Sequence, residues 1–88
     1  INNIYPNPSN NSMIISFSVL SQLSPIEISI RNILGQQMYT TYITPKSTNI
    51  NWTWDGTDNK GFNAPSGTYF ISLAQKNISQ TKKITLLK

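Results

Sequence analysis

The chain has 88 residues, with seven Lys and Arg against three Asp and Glu, no His and no Cys. That length allows one domain, 1–88, with a modest core, since so short a chain buries only about 60–65% of its unfolded surface. The missing residue types remove disulfides, the usual zinc ligands, Ser-His and Cys-His pairs and the commonest general base, and so speak against an enzyme.

In chain order, "YPNPSNN" (5–11) punctuates the entry, and "MIISFSV" (13–19) then puts Met13, Ile15, Phe17 and Val19 on one face of a strand. "SQLSP" separates it from "IEISIR" (26–31), where Ile26, Ile28 and Ile30 oppose Glu27, Ser29 and Arg31. "NILGQ" places Gly35 where a tight reversal needs positive φ. "QMYTTYI" (37–43) is rich in β-branched residues and ends at "TPKS". In "TNINWTW" (48–54), Thr48, Ile50, Trp52 and Trp54 share a face; in "TYFISLA" (68–74), Tyr69, Ile71 and Leu73 do. "KNIS" (76–79) turns the chain into "TKKITLL" (81–87). Half-apolar strands with a turn about every ten residues predict an all-β, immunoglobulin-like antiparallel β-sandwich of about seven strands. A five-stranded barrel is the alternative.

Between two of these strands lies "DGTDNKGFNAPSGTY" (55–69). Asp55 and Asp58 superficially suggest a calcium loop, but the ligand alternation fails and no closing Glu follows. Asp-Gly is a turn signal whose carboxylate accepts nearby backbone N–H groups, so a structural corner is expected, with neither metal nor cofactor. The glycines fit no dinucleotide or phosphate loop, which also needs a following helix. Trp52, Trp54, Phe62, Tyr69 and Phe70 are candidates for a sugar platform, although two tryptophans at i and i+2 more often fill a small core. Three N-x-S/T triplets, at Asn10, Asn51 and Asn77, are expected by chance in so Asn- and Ser-rich a chain.

Charged residues make up only 11% of the chain, too dilute for a nucleic-acid partner. Lys76, Lys82, Lys83 and Lys88 nevertheless gather near the end, in and around "KKITLLK". A terminal strand at a sheet edge suits recognition by strand addition, and lysines would blunt its tendency to aggregate. No apolar run approaches the ~18–20 residues of a membrane span. The opening "INNIYPNP", without initiator Met or signal peptide, reads as an excised domain.

"YPNP" (5–8), "IRNILGQQM" (30–38), "WDGTDNKGFNAPSGTYF" (54–70) and "QTKKITLLK" (80–88), in this order and spacing, resemble the C-terminal sorting domains of the type IX secretion system. The immunoglobulin-like domain of the flagellar hook-capping protein is similar to these. The resemblance runs from Tyr5 to Lys88 and implies a seven-stranded sandwich that labels a fused N-terminal cargo for export from a Gram-negative bacterium. It implies passage through the periplasm, recognition by an outer-membrane translocon and its shuttle, and cleavage by a surface sortase upstream of the domain or at its first residues. The cargo would then be secreted or held at the cell surface, often on a lipopolysaccharide anchor. The family's motif positions fall on Pro6, Asn7 and Pro8, on Gly67 and Tyr69, and on the closing run with Lys82, Lys83 and Lys88. Ser9 stands where relatives often carry Phe, Thr85 interrupts the terminal apolar run, and most relatives are more acidic. The competing expectation is a structural or adhesive module, hook-cap-like or a filament subunit, self-associating through edge strands.

Overall fold

The computed structural model describes residues 3–5, 12–19 and 24–87. Seven strands run through them: β1 (Asn3–Tyr5), β2 (Met13–Ser18), β3 (Ile26–Asn32), β4 (Gln37–Ile43), β5 (Asn49–Trp54), β6 (Gly67–Gln75) and β7 (Ile78–Leu86). One sheet has the order β1-β2-β5 and the other β4-β3-β6-β7, with every pairing antiparallel. This is an immunoglobulin-like sandwich, not a closed barrel. Its fourth strand lies beside the third, whereas constant-type immunoglobulin domains keep theirs on the first sheet.

The alternation in the sequence becomes the core directly. Met13, Ile15 and Phe17 of β2 and Trp54 of β5 face Ile26, Ile28 and Ile30 of β3, Tyr69, Ile71 and Leu73 of β6, and Ile84 and Leu86 of β7. Ala64, from the loop before β6, fills a place among them. A fully buried Ile, Leu or Met contributes about 1.5–3 kcal/mol, so these residues are the main stabilising store of a chain without disulfides. Val19, Ile50 and Trp52 pack against the core only half-buried.

Three local features depart from the simple pattern. β1 has no signature in the sequence, because three residues carry too little periodicity to announce a strand. β7 begins at Ile78, three residues before its apolar pattern does, since the two-residue turn Lys76-Asn77 pairs Gln75 directly with Ile78. Ser29 is buried although it faces away from the core: β3 is an inner strand, and the cross-strand neighbours Thr40 and Ser72 flank it.

The reversal between β3 and β4 is built on Asn32. Its side-chain oxygen accepts from the N–H groups of Leu34 (3.0 Å) and Gln36 (2.9 Å), while Gly35 takes φ 82°. The β6–β7 turn has no glycine, and Lys76 adopts φ 54°. The left-handed conformation costs a non-glycine residue about 1–2 kcal/mol. Lys76→Gly is therefore expected to stabilise the chain by about 0.5–1 kcal/mol and raise Tm by about 2–8 °C. A lower Tm in a thermal melt would show that Lys76 is not strained.

Candidate functional site

Residues 55–66 carry the chain from the end of β5, on the three-stranded sheet, to the start of β6 on the other. The turn residues hold this crossing loop in a fixed shape. Asp55 Oδ1 accepts from the hydroxyl (2.5 Å) and N–H (3.2 Å) of Thr57, and Asp58 Oδ1 from the N–H groups of Lys60 (2.9 Å) and Phe62 (3.0 Å). Backbone bonds from Ala64 N–H to Gly56 O (2.8 Å) and from Asp58 N–H to Phe62 O (2.9 Å), with a bridge between Thr57 and Asn63, close the loop on itself. Both carboxylates thus serve the backbone, as Asx turns do. Among the described residues no three His, Cys, Asp or Glu side chains cluster as metal ligands would.

Two aromatic residues fasten this loop to the core. The Tyr69 hydroxyl donates to Pro65 O (2.6 Å), and the Trp54 indole N–H donates to Thr57 O (2.9 Å). Their rings meet edge to face, with centroids 5.7 Å apart and planes at 66°. A tyrosine near the start of the sixth strand that bonds the backbone four residues upstream is the tyrosine corner of immunoglobulin-like sandwiches. Gly67 precedes it at φ 155°, where a side chain would be strained, and Tyr69 then enters the core at 3% exposure. Burial raises the Tyr69 pKa above the ordinary 10.0.

The loop also covers a sheet edge. Asn59 uses its side-chain oxygen to accept from Thr40 N–H (2.8 Å), its amide nitrogen to donate to Thr40 O (3.1 Å), and its backbone N–H to donate to Met38 O (3.1 Å). It thereby imitates one residue of a neighbouring strand on the outer side of β4. Nothing in the sequence announced this, because Asn in "TDNKG" reads only as a turn former.

Three of the four motifs meet at this end of the sandwich. Tyr69 pairs with Asn32 on one side and Ile84 on the other, and Gly67 pairs with Leu86. The β3–β4 reversal, the corner loop and the end of β7 are therefore neighbours. Lys82 and Lys83 are exposed in β7, opposite Ile71 and Phe70. Pro6, Asn7, Pro8 and Lys88 lie outside the described residues. Of the sugar-platform residues, Trp54 is 1% exposed in the core and Trp52 is half-buried against Tyr39, with ring centroids 5.9 Å apart. Phe62 alone stands out in solvent. At the opposite end, Phe17, Val19, Ile26, Leu73 and Ile78 line an open apolar groove of about 190 Å³, which of the four motifs only Gln80 reaches.

Taken together, fold and corner define an immunoglobulin-like module whose loop side chains mainly hold its own backbone. The chain belongs to the secretion system C-terminal sorting domain family, whose model matches residues 3–87. It is a sorting signal of type IX secretion, and the family is not an enzyme family. Signals of this class act on a fused cargo and imply export to the surface or exterior of a Gram-negative bacterium. Two structures from Porphyromonas gingivalis share the fold. One is PorZ, described as an essential bacterial surface component of the type IX secretion system, with TM-score 0.68 and 17% identity over 98% of this chain and 11% of PorZ. The other is dimeric latent PorU, with TM-score 0.74 and 18% identity over 97% of this chain and 9% of PorU. The chain thus corresponds to a small part of each. No curated protein matches it in sequence.

Tyr69→Phe should cost about 1 kcal/mol in urea unfolding at neutral pH by removing the bond to Pro65. The folded phenol has the raised pKa, so its contribution is full below pH 10.0 and lost as pH rises through the folded value. The stabilities of parent and variant should therefore converge above pH 10.0, while Tyr42, raised by its hydrogen bond to Glu27, titrates in both. Curves that stay parallel would show that Tyr69 is not the group responsible. Asn59→Ala should cost about 1 kcal/mol and uncover the β4 edge. Sedimentation velocity should then show concentration-dependent association, and a monomeric variant of parental stability would mean that water replaces the clamp.

Proposed function

We propose that the chain is read in its folded form by the export machinery and is then removed from its cargo at the cell surface. In this reading an outer-membrane translocon and its shuttle recognise the sandwich, and a surface sortase cuts on its N-terminal side. The observation that carries it is the family match over residues 3–87, which takes in every strand of the sandwich. Pro6 and Pro8 follow β1 in the chain, so the backbone they restrict is the connection from β1 to β2 and not the linker to the cargo. Gly67 and Tyr69 hold the corner, and Lys82, Lys83 and Lys88 offer charge along the last strand and its end. A label that crosses folded benefits from a disulfide-free core and from polar groups already bonded within the domain.

Self-association as a filament or adhesive module has less support. Asn59 occupies the β4 edge, and lysines on β7 oppose pairing between like copies.

A periplasmic reporter fused to residues 1–88 should reach the surface of a type IX host and stay in the periplasm of a host lacking the system. Without residues 82–88 it should stay in the periplasm of both, since that deletion removes Lys82 and Lys83 and the core residues Ile84 and Leu86. Surface display that survives the deletion would sink the reading.

A further inference from the structure

The two edges of the four-stranded sheet are treated differently. The β4 edge is occupied by Asn59, as described above. On the outer side of β7 no strand is paired among the described residues, although β7 is nine residues long. The two-residue turn fixes which groups face outward. Gln75 and Ile78 flank it and form the first hydrogen-bonded pair, so Ile78, Gln80 and Lys82 direct their backbone groups to β6. Ser79, Thr81 and Lys83 direct theirs away from the sheet. Residues 78–83 are exposed throughout, whereas Ile84 and Leu86 anchor the strand in the core.

Charge distinguishes between partners for this edge. Lys82 and Lys83 are successive strand residues, so one ammonium lies on each face of the sheet. All three side-chain carboxylates of the chain are engaged elsewhere: Glu27 accepts from the Tyr42 hydroxyl (2.6 Å), and Asp55 and Asp58 hold the corner loop. A second copy of β7 would bring lysines toward lysines. An added strand with two successive acidic residues would place one carboxylate on each face, beside each lysine.

We infer that the outer edge of β7, at Ser79, Thr81 and Lys83, is a docking site for an extended peptide segment carrying an adjacent acidic pair, bound by strand addition. Its biological setting rests on the sorting reading, with the segment supplied by a component of the export machinery. The binding itself does not depend on that reading.

The test uses the 88-residue chain, labelled with ¹⁵N, and the end-capped peptide VTVEEVTV as probe. Addition of the peptide should shift the amide signals of Ser79, Thr81 and Lys83 and slow their hydrogen exchange. Replacing the acidic pair by Gln-Gln, or methylating alternate peptide nitrogens, should each weaken binding about tenfold or more. Thr81→Pro should do the same: its N–H faces outward, so proline at this edge spares the β6 ladder. Lys82→Glu with Lys83→Glu should reverse the preference between the acidic peptide and a Lys-Lys counterpart. Methylation acts on the peptide, so its effect stands whether or not a variant folds. Shifts confined to the corner loop or the apolar groove would overturn the inference, as would affinity indifferent to methylation. In the reporter fusion, Thr81→Pro should abolish display. Display retained by a folded Thr81→Pro fusion would also overturn the β7 assignment while leaving the sorting reading in place. Failure of the unaltered chain to support display would strike the sorting reading alone.

Discussion

The hydrogen bond from the Tyr69 hydroxyl to Pro65 O, with Trp54 packed against the same ring, is the constraint on which the arrangement rests. It fixes the place where the chain leaves one sheet and enters the other. The Tyr69 side chain sits in the core while its hydroxyl reaches the loop backbone, so the loop cannot move independently of the sandwich. Trp54 repeats the device from the other sheet through Thr57 O. A twelve-residue crossing without helix or strand of its own would ordinarily be mobile. Here both its ends are tied to core aromatic residues and its middle is tied to β4 by Asn59. A few directed bonds, together with the burial of Ala64 in the core, hold the loop in place.

That economy explains how little chemistry remains at the surface of the loop. Asp55, Asp58 and Asn59, which look reactive in the sequence, are engaged with backbone groups, and the Thr57 hydroxyl donates to the Asp55 carboxylate. An immunoglobulin-like fold can host many activities, and the fold alone would not have decided among them. The family match supplies the biological role, while the geometry brings parts of residues 30–38, 54–70 and 80–88 together at one end of one sheet.

Much of the fold was legible in the sequence. The strands at 26–31, 37–43 and 68–74 fall within one residue of their observed limits at either end, because their apolar residues alternate and turn residues bound them. Gly35 marked a real left-handed position. β1 was not legible, since three residues offer no period. Neither was the early start of β7, because Ile78, Gln80 and Lys82 lie beyond the covered part of the sheet and follow no burial pattern. At the site, the structural role of Asp55 and Asp58 could be read from Asp-Gly chemistry, and Tyr69 from its place at a strand start. Asn59 could not be read in advance, because its partner is nineteen residues away on a different strand. Pairings that depend on tertiary distance leave no local trace.

The order in which the strands occur along the chain has a further effect. Tyr69 and Gly67 meet Ile84 and Leu86 across the last ladder of the domain. A nascent polypeptide stopped before those residues lacks the rungs that finish the core beside Tyr69. Completion of the core thus waits on the last strand to be made, and a truncated domain would be left with its tyrosine corner half built.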